Sequence, residues 1–485
     1  MRPDELRSIL ATSERVVIDS ETSNPLDRKG GPTWVFDKAF LVSIGWGAVP
    51  SMEQSVAYEA TDPALPDLIR WIYNEYRGRI VGHNIKFDRH IIRKTFGIST
   101  DRLMDDTMIM AHLIDETLPK GLKPRTEIEC GNPELGDYER LVKHYISKYD
   151  LKTYAEVPRE IMIPYARQDV VLTGMLDNVL YPQIQREFSE LYATEIALNN
   201  ILIKMEYVGV KVDRDKLFRL QEEFSSGIDS LEKRIIASTG KLTAPKGGDF
   251  NFASDVHMAH LIYDVLGFPI LMRTKDLKPS TDKRALAAIK NQIGKQEILD
   301  LLIEDSHLRF QLDTYIIPDI RFSEMDGRIH TNYNQCGPRT GRMSSSQPNT
   351  QNVTHPDEDD DTSSMNHARS VYITDDYTDE TFMDILDYDQ IEMRGYAHYT
   401  QDPNLISSIK AGEDPYSEVS AWIYGGQRSD HPKGTPTRKK GKVVGLSIIY
   451  GSSGKGVGEY LGISAKEGKR VRDKFFEGSP RSTWL

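Results

Sequence analysis

Three short stretches set acidic and phenolic side chains at spacings that can do chemistry: Asp19-x-Glu21, Asn84-x-x-Phe87-Asp88 and Tyr165-x-x-x-Asp169. Alternate residues of a strand project to one side, so Asp19 and Glu21 can share an ion. Residues four apart on a helix share a face, which sets Tyr165 beside Asp169. Four carboxylates crowded together repel one another unless cations neutralise them, and hard oxygen ligands favour magnesium or manganese over zinc. Two such ions about 3.5–4 Å apart can activate a water and stabilise the leaving oxygen of a phosphodiester, with Tyr165 orienting the water. The acidic pair alone carries little, because 73 acidic residues in 485 predict roughly eleven acidic-x-acidic triplets by chance.

A second set lies toward the C-terminus. Residues 339–352 pack arginines, hydroxyls and amides into one polar run, in which Arg339, Arg342, Ser344, Asn349, Gln351 and Asn352 suit phosphates and minor-groove edges. Residues 383–394 read as a strand with Asp387 at its end, and a carboxylate there can hold magnesium rigidly against a nucleoside triphosphate. Arg438, Lys442, Leu446 and Tyr450 follow at intervals of four, a slowly drifting helical stripe. Its two cations suit a triphosphate, and Tyr450 can stack near a templating base. Gly441 and Gly445 would each weaken that helix by about 1 kcal/mol relative to Ala.

The elements that must position these groups are legible in outline. Val16–Ile18, Phe40–Ile44 and Arg79–Val81 read as strands and Leu65–Tyr76 as a helix, so the first 180 residues form an α/β domain, with Asp88 near a helix start. Asp105 and Asp106 precede a helical stretch and read as caps, and His83 as a packing residue. Apolar residues at helical spacing from Ser189 to Met205, with further helical patterns to about Tyr315, make the middle mainly α, apart from a loop over 247–253. A mixed segment begins near Asp326, and the acidic run 357–361 reads as a solvated loop.

The chain's 485 residues suggest about three domains at roughly 150 residues each, which excludes a small binding module. No apolar run approaches the roughly 20 residues of a membrane span, and no secretory leader is visible at Met1–Glu5, so a soluble, cytoplasmic protein is expected. Cys130 and Cys336, far apart and without CxxC partners, read as two buried free thiols. The net charge of −12 conceals an asymmetry: residues 426–485 carry thirteen Lys/Arg against five Asp/Glu, a surplus of eight that leaves the rest at −20. A basic end beside an acidic body suits a polyanion at one face and metal ions at another.

The order Asp-x-Glu, Asn-x-x-Phe-Asp, Tyr-x-x-x-Asp across about 150 residues resembles the proofreading 3′–5′ exonucleases of the four-carboxylate, tyrosine-containing class, whose fold is similar to ribonuclease H. The second half resembles family A DNA polymerases, in the primer–template grip (339–352), motif A (383–394) and the nucleotide-binding fingers helix (438–451). The resemblance implies that Asp19, Glu21, Asp88 and Asp169 hold two Mg2+ or Mn2+ ions, that Tyr165 assists them, and that Asn84 and Phe87 meet single-stranded 3′ ends. It further implies that Asp387 is a metal ligand, Glu392 a gate against ribonucleotides and Arg342 a contact to the primer-terminal minor groove, with Arg438 and Lys442 on the triphosphate. Asp389 stands where the family commonly has Ser, and Leu446 where it has an aromatic residue.

The implied organisation is a ribonuclease H-like exonuclease over 1–182, a helical thumb over 183–325, a partial palm over 326–425 and partial fingers over 426–485. No second palm carboxylate, the family's motif C, is found before Leu485, so nucleotidyl transfer is expected to need a separate C-terminal polypeptide. The expected partners are primer–template DNA, single-stranded 3′ ends and deoxynucleoside triphosphates, with no membrane and no thioredoxin. A split polymerase gene would suit a bacteriophage, which would place the protein in a host's cytoplasm. Two other readings remain open: a stand-alone exonuclease whose polymerase half only holds DNA, and a non-catalytic DNA-binding assembly subunit in which the carboxylates do not converge.

Overall fold

The computed structural model describes residues 1–23, 35, 37–48, 51–131, 137–294, 296–353, 368–376 and 381–482. They divide into two compact units, one running to residue 381 and one from Phe382 onward. The acidic run 357–361 and the last three residues fall outside the described set.

The first unit opens with a five-stranded sheet of β1 (Arg15–Thr22), β2 (Ala39–Trp46), β3 (Ser55–Glu59), β4 (Arg79–Gly82) and β5 (Asp105–Asp106), in the order β3-β2-β1-β4-β5. The first three strands pair antiparallel, while β4 and β5 run parallel to β1, as expected of a ribonuclease H-like sheet. Val16, Val17 and Ile18 in the centre of β1 are buried because both faces of the sheet are covered. Parallel pairing of β1 with β4 needs a crossover, supplied by the Leu65–Asn74 helix.

A 29-residue helix, Arg159–Glu187, lies on this sheet. Val170 packs with Val17 and Val81, and a Cβ on Gly45 would sit 3.3 Å from the Val170 side chain, so the glycine lets the helix approach β2 closely. The helix is also pinned by charge. Asp177, 1% exposed, receives Arg15 from β1 at 2.6 Å and Arg79 from β4 at 2.8 Å, and Arg79 lies 3.4 Å from the centre of the Tyr181 ring. These contacts hold Asp169, one residue before Val170, in fixed relation to β1.

Helices Ser189–Val208, Arg214–Thr239, Lys283–Ile293 and Glu297–Gln311 follow, with an apolar core that includes Leu231, Leu261, Leu286 and Leu302. The loop expected over 247–253 is present, closed by a bridge between Thr243 and Asp249. Two small ribbons complete the unit, β6 (Val210–Lys211) with β7 (Arg328–Ile329), and β8 (Asn332–Asn334) with β9 (Ser344–Ser346). The short Ile317–Phe322 helix buries Asp319, whose carboxylate takes the Tyr372 hydroxyl at 3.0 Å.

The regular structure of the second unit's described residues is helical: Ile391–Thr400, Pro403–Lys410, Pro415–Tyr424, Pro436–Ile449, Gly454–Leu461 and Ala465–Gly478 surround Met393, Val419, Val444 and Phe475. The two glycines of the Pro436–Ile449 helix face the Pro415–Tyr424 helix. A Cβ on Gly441 would meet the Ser420 hydroxyl at 2.0 Å, whereas one on Gly445 would make ordinary contact with Val419 at 3.6 Å.

Several expectations need correction. The strand expected around Asp387 does not form: residues 382–389 pair with no other strand, and Phe382, Ile385, Leu386 and Tyr388 are 78–94% exposed. Alternating sequence can favour an extended backbone, but a strand needs a neighbour to take its N–H and C=O groups, and the described part of this unit holds no strand. Residue 182 lies inside the continuous Arg159–Glu187 helix, and the two compact units divide near residue 381. Asp106 is an N-cap, accepting from Met108 N, but Asp105 instead pairs with Arg79 and takes the Tyr192 hydroxyl. Both cysteines are free, and Cys130 is only half-buried. Among the described residues no helix is long and apolar enough to cross a membrane.

Candidate active site

β1 and the long helix bring three of the four expected carboxylates together. Ligand oxygens of Asp19, Glu21 and Asp169 all lie within 4.8 Å of one another, the only such group of three or more acidic, His or Cys side chains among the described residues. Asp88 is not part of it. The carboxylate is 2% exposed and accepts the Ser20 hydroxyl at 2.7 Å; Ser20 alternates with Asp19 and Glu21 along β1.

Electrostatics show what the cluster lacks. Burial, reinforced by the Asp169 charge, pushes Asp19 up to about 7. Burial pushes Asp169 up to about 6 against the pull of the Lys123 ammonium. Burial and neighbouring carboxylates hold Glu21 and Asp88 well above the usual carboxylate range. The Lys123 ammonium lies 3.0 Å from Asp169 Oδ1, one positive charge set against three crowded carboxylates. A crowded set of hard oxygens, destabilised as anions, fits divalent cations, which Asp19, Glu21 and Asp169 would hold.

Lys123, at the start of the Leu122–Cys130 helix, was not anticipated from the sequence. Its ammonium donates to the Tyr165 hydroxyl and to Asp169 Oδ2, each at 3.0 Å, and lies 4.1 Å from the centre of the Tyr165 ring. Tyr165 in turn hydrogen-bonds Asp169, and burial raises its pKa, so the phenol stays protonated and able to donate. Nothing in a lone Lys 46 positions before Asp169 signals this contact, which depends on helix packing.

The flanking Asn84 caps the Ile85–Phe96 helix in a left-handed conformation (φ 60°), with its N–H and that of Ile85 on the Asp106 carboxylate at 2.9 and 3.0 Å. Phe87 is half-buried against the sheet core. His83 hydrogen-bonds Thr107 Oγ1 and Lys120 O at 2.9 Å each, and burial pushes it down to about 4, as a neutral packing residue requires.

Sequence comparison decides the family. A profile of DNA polymerase family A matches residues 214–482, and a 3′–5′ exonuclease profile matches residues 4–185. The chain belongs to DNA polymerase family A. DNA polymerase I of Helicobacter pylori is 26% identical over 419 residues, 83% of this chain and 41% of that protein. That of Pseudomonas aeruginosa is 24% identical over 485 residues, 97% of this chain and 50% of that protein. That of Caldicellulosiruptor bescii is 32% identical over 283 residues, 58% of this chain and 31% of that protein. The chain thus spans half or less of the length of these relatives, all of them bacterial, and a phage origin gains no support from them. A solved structure described as the POL domain of Pol1 from M. smegmatis in complex with DNA primer-template and dNTP shares the fold, with a TM-score of 0.76 and 21% identity over 100% of this chain and 76% of that one.

The polymerase-side residues of this family A chain fall in both units. In the first, Arg339, Arg342, Asn349, Gln351 and Asn352 are exposed and Ser344 half-buried around the β8–β9 hairpin, with Ser345 Oγ tying Asn349 Oδ1 at 2.8 Å. In the second, Arg438 and Lys442 flank the Tyr416 ring, at 5.0 and 5.9 Å from its centre. The Arg438 guanidinium is held by Asp414, Nε at 2.7 Å and Nη2 at 3.3 Å, and this partner draws Asp414 below the usual carboxylate range against the opposing effect of burial. Neither Asp414 nor Tyr416 was evident from the sequence. Glu392 is half-buried, Leu446 packs partly into the unit's core, and Tyr450 closes the helix with 63% exposure. Asp387 is exposed; Asp389, the unexpected charge beside it, has Arg394 Nη2 at 3.4 Å.

Proposed function

We propose that this chain hydrolyses DNA from 3′ ends at the Asp19–Glu21–Asp169 cluster, as the proofreading part of a family A DNA polymerase. The observation that carries the reading is the convergence of those three carboxylates beside Tyr165 and Lys123. It removes the support for a non-catalytic subunit, which required that the carboxylates not converge.

Two Mg2+ or Mn2+ ions would supply an activated water and stabilise the departing 3′ oxygen. Asp19, Glu21 and Asp169 would anchor them, while Asp88 stands apart from that group on the Ser20 hydroxyl. Protonated Tyr165 orients the attacking water through its hydroxyl. Lys123 holds that hydroxyl and favours the anionic form of Asp169. Asn84 and Phe87 guide the single strand.

For synthesis, Arg438 and Lys442 would take the triphosphate above Tyr416, Glu392 would exclude the 2′-hydroxyl, and Asp387 would hold metal once paired with a neighbouring strand. Phosphoryl transfer needs both ions fixed in place, and among the described residues Asp387 belongs to no group of three or more converging ligand side chains. We assign the cytoplasm as the working compartment.

The test is a 5′-labelled primer–template incubated with the chain and Mg2+, with and without all four deoxynucleotides. Shortening without nucleotides and no extension with them is expected. Extension by this chain alone would contradict the need for a further carboxylate, and absence of shortening would contradict the nuclease.

A further inference from the structure

Glu206 belongs to neither site, yet it is a wholly buried carboxylate where three parts of the chain meet. Near the end of the Ser189–Val208 helix, it accepts from Lys86 Nζ, from His90 Nε2 at 2.8 Å and from the Tyr333 backbone N–H at 2.7 Å. Lys86 and His90 are one turn apart on the helix that carries Asp88. Lys86 Nζ also donates to Asn332 Oδ1 at 3.2 Å and to Tyr333 O at 2.5 Å. Asn332 and Tyr333 lie in β8, where they pair with Ser346 and Ser345 of β9 within the polar run 339–352.

The hairpin is stitched both to the Ser189–Val208 helix and to the exonuclease part beyond this point. Gln335 Nε2 donates to Glu195 Oε2 at 2.7 Å, and Lys120 Nζ donates to Gly337 O at 2.8 Å. From Arg339 to Met343 the chain is exposed. A cavity of about 290 Å3 separates the hairpin from Asn84, lined also by Lys86, Lys120, Asn199, Tyr333 and Asn334. The Asn199 side-chain oxygen is buried without a hydrogen-bond partner.

We infer that Glu206 is a positioning residue, fixing the β8–β9 hairpin against the Asp88 helix so that a primer end leaving the hairpin is delivered to the carboxylate cluster. The inference rests on the proposed nuclease function and deepens it. If stability were the only need, packed apolar side chains would serve as well as a buried ion pair, whereas a buried junction of directional hydrogen bonds restricts the geometry. Glu206 touches neither metal ligands nor the reacting phosphate, so its effect should depend on how the strand arrives.

The test compares two 5′-labelled substrates in Mg2+, a single strand and a primer–template with a mismatched 3′ end. Glu206→Gln should lower excision of the mismatched end about tenfold, a typical coupling between linked sites, while single-strand hydrolysis stays within about twofold. The double variant Lys86→Met/Glu206→Gln, which leaves no buried charge unpaired, should show the same selective loss even if the single variant folds poorly. Loss of both activities in equal proportion, or of neither, in whichever variant retains the wild-type unfolding temperature, would overturn the inference. A wild-type chain inactive on the single strand would instead contradict the nuclease reading itself.

Discussion

The Lys123 ammonium stands 3.0 Å from both the Tyr165 hydroxyl and the Asp169 carboxylate, making one cation the link between the phenol and the acid of the same helical turn. Its charge works against the burial that raises Asp169. Lys123→Met should therefore raise Asp169 further, so that a smaller fraction is ionised at a given pH. The expected result is a pH–rate profile for single-strand hydrolysis displaced to higher pH, with activity at pH 7 lowered on the order of 10–100-fold, as for other residues that orient metal ligands. An unshifted profile would remove Lys123 from the account.

Metal removal offers a second check. Protons compete with cations for carboxylates, and Asp19 and Asp169, at about 7 and about 6, take them up as pH falls through that range. Affinity for Mn2+, measured by calorimetry, should weaken from pH 8 to pH 6 and strengthen as pH is raised again. Asp169→Asn should lower both Mn2+ affinity and hydrolysis by about a hundredfold or more, since it removes a ligand rather than its support.

Much of this site was legible because its chemistry follows local periodicity. Asp19 and Glu21 obey the twofold repeat of a strand, and Tyr165 and Asp169 the four-residue repeat of a helix. The Pro436–Ile449 helix, with Arg438 and Lys442 on one face, followed from the same rule. Partners brought by tertiary packing were not legible: Lys123 beside Tyr165, Asp414 on Arg438 and Lys86 on Glu206 join residues 24 to 120 positions apart. The strand around Asp387 failed for a related reason, because its pattern is local and its pairing is not.

Glycines on one helix should respond oppositely. Gly441→Ala forces a methyl into the Ser420 hydroxyl and within 3.0 Å of Tyr416 O, so it should destabilise the second unit by about 1–3 kcal/mol despite Ala's helix propensity. Gly445→Ala meets only ordinary contact with Val419 and should be neutral or stabilise by up to about 1 kcal/mol. Amide exchange of the 436–449 helix reads both. Equal effects would mean that the two helices do not pack as described.

Asp319 gives a stability prediction with a definite sign. Burial pushes it up to about 7, so between about pH 4 and pH 7 the folded chain holds a proton that the unfolded chain releases. Its contribution to stability therefore declines as pH rises through that window, by about 4 kcal/mol at most. Asp319→Asn removes the titration and keeps an acceptor for Tyr372. Relative to the wild type, the variant should gain stability from pH 5 to pH 8 in urea unfolding, and a difference independent of pH would contradict the buried acid.

The most direct test of the central claim is hydrolysis of a 5′-labelled single strand under single-turnover conditions in Mg2+, with wild type and Asp19→Ala side by side and a chelator control. The carboxylate cluster predicts stepwise shortening from the 3′ end by the wild type, abolished by the chelator and by the substitution. Undiminished shortening by Asp19→Ala, or none by the wild type with Mg2+ present, would contradict it.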